Sequence, residues 1–140
     1  MIGERFTKER PVRQSQPRPA LLVVDDTPSI RELLIHTLRC LVPYEVIAAT
    51  DAKAALAMLA ARPVPLLMSD YHLSDMRGDE LAAAAKATSP ATSVLMITAD
   101  VELDAEAGWA SVDHCLIKPF PIRDLVGAVG TLLPSNAVAR

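Results

Sequence analysis

The stretch PLLMSDYHLSDMRG, from Pro65 to Gly78, joins an apolar run to a short polar segment that ends in glycine. Its residues Leu66 to Met68 are continuously hydrophobic, which is typical of a strand buried on both faces of a parallel sheet. Asp70 follows this run, so its carboxylate is expected at the carboxyl end of a strand, where open α/β sheets bind their ligands. Asp is also common in turns, and on this stretch alone a helix-capping role for Asp70 is the simpler interpretation.

The composition indicates a single α/β domain. The chain has 140 residues, of which 51% are hydrophobic and only 4% aromatic, a balance that favours helices packed closely on a sheet over a β-sandwich. Cys40 and Cys115 show no metal-ligand spacing and are too few for a disulfide framework, so we predict a reducing, cytoplasmic location. The sequence lacks a signal peptide and the run of about 20 apolar residues that a membrane helix needs, so we predict no membrane partner.

Charge is distributed unevenly along the chain. Residues 1–19 hold five basic and two acidic side chains, so the remaining residues hold nine basic and fifteen acidic ones. This acidic body argues against a nucleic-acid partner. Prolines and a low apolar content predict a disordered basic arm over 1–19, followed by a folded domain over 20–134 and a frayed tail over 135–140.

Alternating apolar runs and helical periodicity predict five strand–helix units. The predicted strands cover 20–24, 44–50, 65–70, 94–97 and 115–117, and the predicted helices cover 28–42, 52–61, 78–87, 100–108 and 121–133. Thr27 and Asp51 are the expected N-caps of the first two helices. Strands that alternate with helices imply a doubly wound α/β fold, in which a five-stranded parallel sheet carries helices on both faces.

Polar side chains stand where the predicted strands end. They are Asp25 and Asp26 after the first strand, Asp70 after the third, Thr98 after the fourth and Lys118 after the fifth. The carboxyl ends of parallel strands share one edge of a sheet, so we expect these side chains to converge. Three neighbouring carboxylates repel one another unless a cation intervenes, and Mg²⁺ takes carboxylate, water and phosphate oxygens. With a lysine to pair with phosphoryl oxygens, the set suits phosphoryl transfer to an Asp carboxylate.

From Ala20 to about Leu133 the chain resembles the receiver domain of two-component response regulators. The resemblance rests on four short motifs, each at a predicted strand end: Leu-Val-Val-Asp25-Asp26, Ser69-Asp70-Tyr-His-Leu with Gly78 eight residues after the acid, Thr98-Ala99, and Lys118-Pro119-Phe120. It implies a flavodoxin-like fold with the strand order 2-1-3-4-5.

The resemblance also implies a metal site. Asp25 and Asp26 would form the acidic pair that holds Mg²⁺, together with Asp70 and the backbone carbonyl of His72. We expect the His72 ring itself to stay in solvent, because Mg²⁺ prefers oxygen ligands.

By the same resemblance, Asp70 is the phosphoacceptor for a sensor histidine kinase or a histidine phosphotransfer protein. Lys118 would pair with Asp70 and then with its phosphate, Thr98 would donate a hydrogen bond to a phosphate oxygen, and the Lys118-Pro119 peptide bond would be cis. Such a module is not an enzyme beyond its own phosphorylation and dephosphorylation. Too few residues follow Leu133 for an effector domain, so we expect a stand-alone receiver.

The chain departs from the family pattern where phosphorylation is usually read. Cys115, with His114 beside it, stands at the position of the switch aromatic, three residues before the lysine, so either another side chain, such as His114 or Trp109, reports phosphorylation or the output surface barely changes. Trp109 itself is either an exposed partner anchor or a cover for the sheet edge. Ser74 replaces a common proline, and the fourth helix is short and acidic. We expect a downstream partner or a homodimer at the face of helix 4, strand 5 and helix 5.

Two other functions compete with this interpretation. A pseudo-receiver would use the same fold for scaffolding or dimerisation, with an acidic site that no longer functions. A phosphotransferase of the haloacid-dehalogenase type also forms an aspartyl phosphate, but it needs Asp-x-Asp after the first strand, whereas this chain has Asp25-Asp26-Thr27.

Overall fold

The computed structural model describes residues 19–99 and 109–133, so most of the predicted arm, the predicted fourth helix and the whole predicted tail lie outside the described residues. The strands are β1 (Ala20–Val24), β2 (Glu45–Ala49), β3 (Leu66–Asp70), β4 (Ser93–Thr98) and β5 (His114–Ile117). The α-helices within the described ranges are α1 (Pro28–Leu41), α2 (Ala52–Ala61), α3 (Gly78–Thr88) and α4 (Ile122–Leu132). A 3-10 turn over Trp109–Ser111 precedes β5. None of these helices has the length and apolar character needed to cross a membrane.

The five strands form one parallel sheet in the order β2-β1-β3-β4-β5. This order confirms the predicted doubly wound, flavodoxin-like fold. The register places Val24 of β1 opposite Ser69 and Ile97 of β4 opposite Asp70. Residues that follow β1, β3, β4 and β5 therefore meet at a single edge of the sheet.

Each face of the sheet is covered by a pair of helices. Side chains of β1 alternate between the faces: Leu21 and Val23 join one core cluster, whereas Leu22 and Val24 join the other. Helices α1 and α4 pack on the first face, and α2 and α3 pack on the second. The buried alanines of α2 and α3 are Ala52, Ala55, Ala82 and Ala85. Their small side chains let both helices lie close to the sheet, which explains the high alanine content of this half of the chain.

The starts of the first two helices differ in how they are capped. Asp51 caps α2 as predicted, since its Oδ1 accepts a hydrogen bond from the Ala54 amide at 2.8 Å. Thr27 occupies the N-cap position of α1, but its side chain forms no capping hydrogen bond. Its amide instead donates to Oδ1 of Asp25 at 2.8 Å. The Asp25 side chain, directly after β1, therefore fixes the backbone at the start of α1.

Two large apolar side chains of α1 and α4 lie outside the buried faces of these helices. Leu33 is 57% exposed, and Ile122 is 52% exposed. Both line an apolar groove of about 260 Å³ between α1 and the start of α4, with Pro119 and Phe120 beside them. A helix on one face of a sheet buries a stripe of limited width, and Leu33 falls outside it.

Candidate functional site

Three carboxylates meet at the edge of the sheet where β1 and β3 end. Oxygen atoms of Asp25, Asp26 and Asp70 all lie within 4.8 Å of one another. Asp25 is buried, Asp70 is partly buried and Asp26 is exposed. The structure thus brings together the acids that the sequence places at two separate strand ends, and it leaves one side of the cluster open to solvent.

Asp25 is the most strained of these acids in electrostatic terms. The residue is only 1% exposed, and its Oδ2 is the one buried side-chain oxygen or nitrogen in the described ranges without a hydrogen-bond partner. Burial raises the pKa of Asp25, repulsion by Asp70 and Asp26 raises it further, and the Thr27 amide and Lys118 act in the opposite direction. An unpartnered, buried carboxylate oxygen beside two other acids is a position that a cation would stabilise.

Lys118 supplies the nearest described positive charge. Its Nζ lies 3.7 Å from Oδ2 of Asp70 and 4.0 Å from Oδ2 of Asp25. The Lys118 amide donates to the carbonyl of Thr98 at 2.8 Å, which joins the ends of β5 and β4. Thr98 is buried at its strand end. The Lys118-Pro119 peptide bond is cis, as the resemblance implied.

Backbone contacts join the two ends of the loop that follows Asp70. The Gly78 amide donates to the carbonyl of Tyr71 at 2.6 Å, and His72 forms an isolated bridge with Arg77. The His72 ring contacts the edge of the Tyr71 ring, with 4.8 Å between centroids. Among the residues described, no histidine joins the acidic cluster.

Two side-chain contacts that stabilise this loop were not predicted. The guanidinium of Arg77 binds both carboxylate oxygens of Asp79, at 2.9 and 3.2 Å, and this pairing lowers the pKa of Asp79. The carboxylate of Asp75 reaches the start of α2. Asp75 contacts residues that are distant from it in the chain. No local sequence pattern predicts such contacts.

Cys115 stands where the family has its switch aromatic, and an aromatic pair lies elsewhere, between Trp109 and Tyr71. Cys115 is partly buried and packs against the core of the second face, and burial raises the pKa of its thiol. His114 is exposed on β5. Trp109 stacks on Tyr71, with ring centroids 5.9 Å apart and planes inclined by 27°. Trp109 is partly buried and contacts the residue that follows Asp70.

The donor set fits Mg²⁺. It consists of carboxylate oxygens, which a hard cation prefers, and the unpartnered Oδ2 of Asp25 gives the cluster a reason to bind one. The exposed side at Asp26 leaves room for the waters and phosphate oxygens that Mg²⁺ usually retains.

The chain belongs to the response regulator receiver domain family, because residues 21–130 match the model of that family. It is 36% identical over 118 residues to the response regulator protein PilR of Pseudomonas aeruginosa, a match that covers 83% of this chain and 26% of PilR. It is 33% identical over 104 residues to the chemotaxis protein CheY of the same organism, covering 71% of this chain and 84% of CheY. The chain therefore spans about a quarter of PilR but most of CheY.

A solved structure agrees with this assignment. The response regulator protein TrrA from Thermotoga maritima, in complex with Mg²⁺-BeF, has a TM-score of 0.75 and 27% identity, covering 82% of this chain and 99% of that one. Receiver domains are signalling modules, so family membership argues against the haloacid-dehalogenase alternative.

Proposed function

We propose that this chain accepts a phosphoryl group on Asp70 from a sensor histidine kinase or a histidine phosphotransfer protein, in a reaction that depends on Mg²⁺. The observation that carries this proposal is the position of Lys118, whose Nζ lies within 4.0 Å of carboxylate oxygens of both Asp70 and Asp25. A cation in this position pairs with the carboxylate before transfer and is available to the phosphoryl group afterwards.

Asp70 supplies the nucleophile in this mechanism. One of its carboxylate oxygens forms a bond to phosphorus while the P–N bond of a phosphohistidine breaks, and the electron pair of that bond returns to the imidazole nitrogen. Lys118 then pairs with an oxygen of the transferred group. Thr98, at the neighbouring strand end, donates a hydrogen bond to another oxygen of that group.

Asp25, Asp26, Asp70 and the backbone carbonyl of His72 would hold Mg²⁺. When bound, the ion supplies positive charge that offsets the charge on the phosphoryl oxygens. The Asp25 carboxylate is buried and fixed by the Thr27 amide, whereas the Asp26 carboxylate is exposed and stays accessible to water. The two acids therefore contribute one rigid and one solvated ligand to the same site.

Signalling would follow through protein contacts in the cytoplasm. We place the contact with a downstream partner, or with a second copy of the chain, at the face of β5 and α4; the predicted fourth helix, which the expectation also included, lies outside the described residues. Two observations support this face: β5 is the edge strand of the sheet, and Ile117 is a large apolar side chain that is 41% exposed there. The body of the chain is acidic, which supports a protein partner over nucleic acid.

The phosphoacceptor role is tested by incubating the chain with acetyl phosphate and Mg²⁺ and measuring its intact mass. We expect a phosphoprotein with the wild-type chain and none with Asp70→Asn, because an amide cannot act as the nucleophile. Asp51→Asn changes an acid outside the cluster in the same way and should still be phosphorylated. If a cognate kinase also leaves the wild-type chain unmodified, the chain is a pseudo-receiver.

Trp109 should report occupancy of the site. Its ring stacks on Tyr71, which directly follows Asp70, so movement of that segment changes the surroundings of the only tryptophan in the chain. We expect the fluorescence of Trp109 to change when beryllofluoride, a mimic of the acyl phosphate, is added with Mg²⁺. Asp70→Asn should abolish this change, and an unaltered wild-type spectrum at saturating beryllofluoride would contradict the prediction.

A further inference from the structure

Asp75, outside the acidic cluster, ties the loop after Asp70 to a different helix. Its Oδ1 accepts a hydrogen bond from the Ala52 amide, and its Oδ2 accepts one from the Lys53 amide, both at 3.0 Å. These amides belong to the first turn of α2, where backbone N–H groups have no partner within the helix. We call this two-point contact the Asp75 clamp.

The clamp acts on the loop that carries the carbonyl of His72. The base of this loop is closed by the bridge between His72 and Arg77 and by the hydrogen bond from Gly78 to Tyr71. Asp75 lies between the bridged residues, on the part of the loop that these contacts do not hold. Its two hydrogen bonds therefore fix the loop against a neighbouring element of the fold.

Ser74, the residue before Asp75, leaves the backbone of the loop less restrained than a proline would. Ser74 leaves its backbone φ free, whereas a proline would fix it. Within the described ranges, the Ser74 amide donates to no other backbone group. The loop thus has little internal restraint at this point, and the clamp provides it from outside.

Helix α2 is a suitable anchor for the metal site. It begins directly after β2, and β2 pairs along its length with β1, the strand that Asp25 and Asp26 follow. A loop fixed to α2 is therefore fixed relative to those two acids. The amides of Ala52 and Lys53 also lower the pKa of Asp75, so the carboxylate is in its accepting, ionised form at neutral pH.

We propose that Asp75 is a positioning residue for Mg²⁺, because its clamp on α2 holds the loop carbonyl of His72 in place relative to Asp25 and Asp26. This inference rests on the proposed function, since the ion is the one proposed above. Groups that orient metal ligands without touching the metal commonly change affinity by about 10- to 100-fold when they are removed.

The test is calorimetric titration of Mg²⁺ into the full chain, in which Asp75→Asn is compared with the wild type. The asparagine offers one oxygen for two amides, and we expect its Kd for Mg²⁺ to rise about tenfold. Asp51→Asn is the matched control, because Asp51 also caps α2, through the Ala54 amide at 2.8 Å, and carries the same charge but holds no loop. Its Kd should stay within about twofold of the wild-type value, as expected for a group that orients no ligand.

A double-mutant cycle with Ser74→Pro separates positioning from helix stability. If the clamp acts by restraining the loop, Asp75→Asn should weaken Mg²⁺ binding less in the Ser74→Pro background than in the wild type. Hydrogen exchange at the Ala52 and Lys53 amides should quicken with Asp75→Asn in both backgrounds. Equal Mg²⁺ affinity for Asp75→Asn and wild type, an equal loss for Asp51→Asn, or no relief by Ser74→Pro would each overturn the clamp proposal. A wild-type chain that binds no Mg²⁺ would overturn the proposed metal site as well.

Discussion

Gly78→Ala is expected to destabilise the domain by about 3 kcal/mol, the upper part of the usual range for overpacking a core. A Cβ atom at Gly78 would lie 2.6 Å from Sδ of Met96, 2.7 Å from Cα of Tyr71 and 2.8 Å from the carbonyl oxygen of Asp70. The sulfur can move, but the other two atoms belong to the backbone of Asp70 and Tyr71. The methyl group therefore forces apart the start of α3 and the end of β3.

Urea denaturation of wild type and Gly78→Ala measures this loss directly, as a lower transition midpoint at an unchanged slope. Gly127→Ala is the matched control. Gly127 lies inside α4, and a Cβ there meets no atom within 4 Å, so alanine should stabilise the domain by about 0.5–1 kcal/mol through helix propensity. If the free energy of unfolding of Gly78→Ala is within about 1 kcal/mol of the wild-type value, the prediction is wrong. The loop after Asp70 would then move enough to accommodate the methyl group.

The convergence of the acids at one edge could be predicted because it depends on local signals. Asp25 and Asp70 each follow a short apolar run, and parallel strands place the ends of such runs together. In the structure, Val24 at the end of β1 lies opposite Ser69 near the end of β3. The two strands therefore end side by side, as parallel pairing predicts. For this reason the parallel sheet and the cluster were accessible from local patterns, whereas the strand order came from the resemblance to receiver domains, and the roles of the acids remain predictions.

The contacts that hold the site in place could not be predicted, because they join segments that are distant in the chain. Asp75 binds amides 22 and 23 residues earlier. Asp113 is similar: its Oδ2 accepts from the Val94 amide and from Lys86 Nζ, both at 2.7 Å, and links the starts of β4 and β5 to α3. A carboxylate in a loop carries no sign of which distant donor it will meet, since that depends on how the layers pack. The exposure of Leu33 has the same origin, because the width of a buried stripe is set by the neighbouring helices.

Asp25→Asn is expected to stabilise the metal-free domain near neutral pH by about 1–3 kcal/mol, because the amide removes a buried charge and can donate a hydrogen bond to a neighbouring carboxylate. The wild-type carboxylate is desolvated and faces two other acids, and its Oδ2 has no hydrogen-bond partner, with Lys118 Nζ 4.0 Å away. Because the pKa of Asp25 is raised above its ordinary value of 3.8, the folded state retains this proton to a higher pH than the unfolded chain does. The contribution of Asp25 to wild-type stability therefore falls as pH rises from about 3.8 through the raised pKa, and the variant lacks this loss.

Mg²⁺ should narrow this difference between Asp25→Asn and wild type. At a free concentration ten times Kd, the ion should stabilise the wild-type domain by about 1.4 kcal/mol, whereas the variant has lost a buried ligand and should gain little. Asp26→Asn is the matched control: Asp26 is exposed, so its loss should leave metal-free stability within about 0.5 kcal/mol but should also remove the response to Mg²⁺. Thermal unfolding in chelator and in Mg²⁺, over a pH series, measures all three proteins. If metal-free Asp25→Asn is less stable than wild type at neutral pH, the prediction is wrong. The Asp25 carboxylate would then stabilise the metal-free fold despite its repulsion by the other acids.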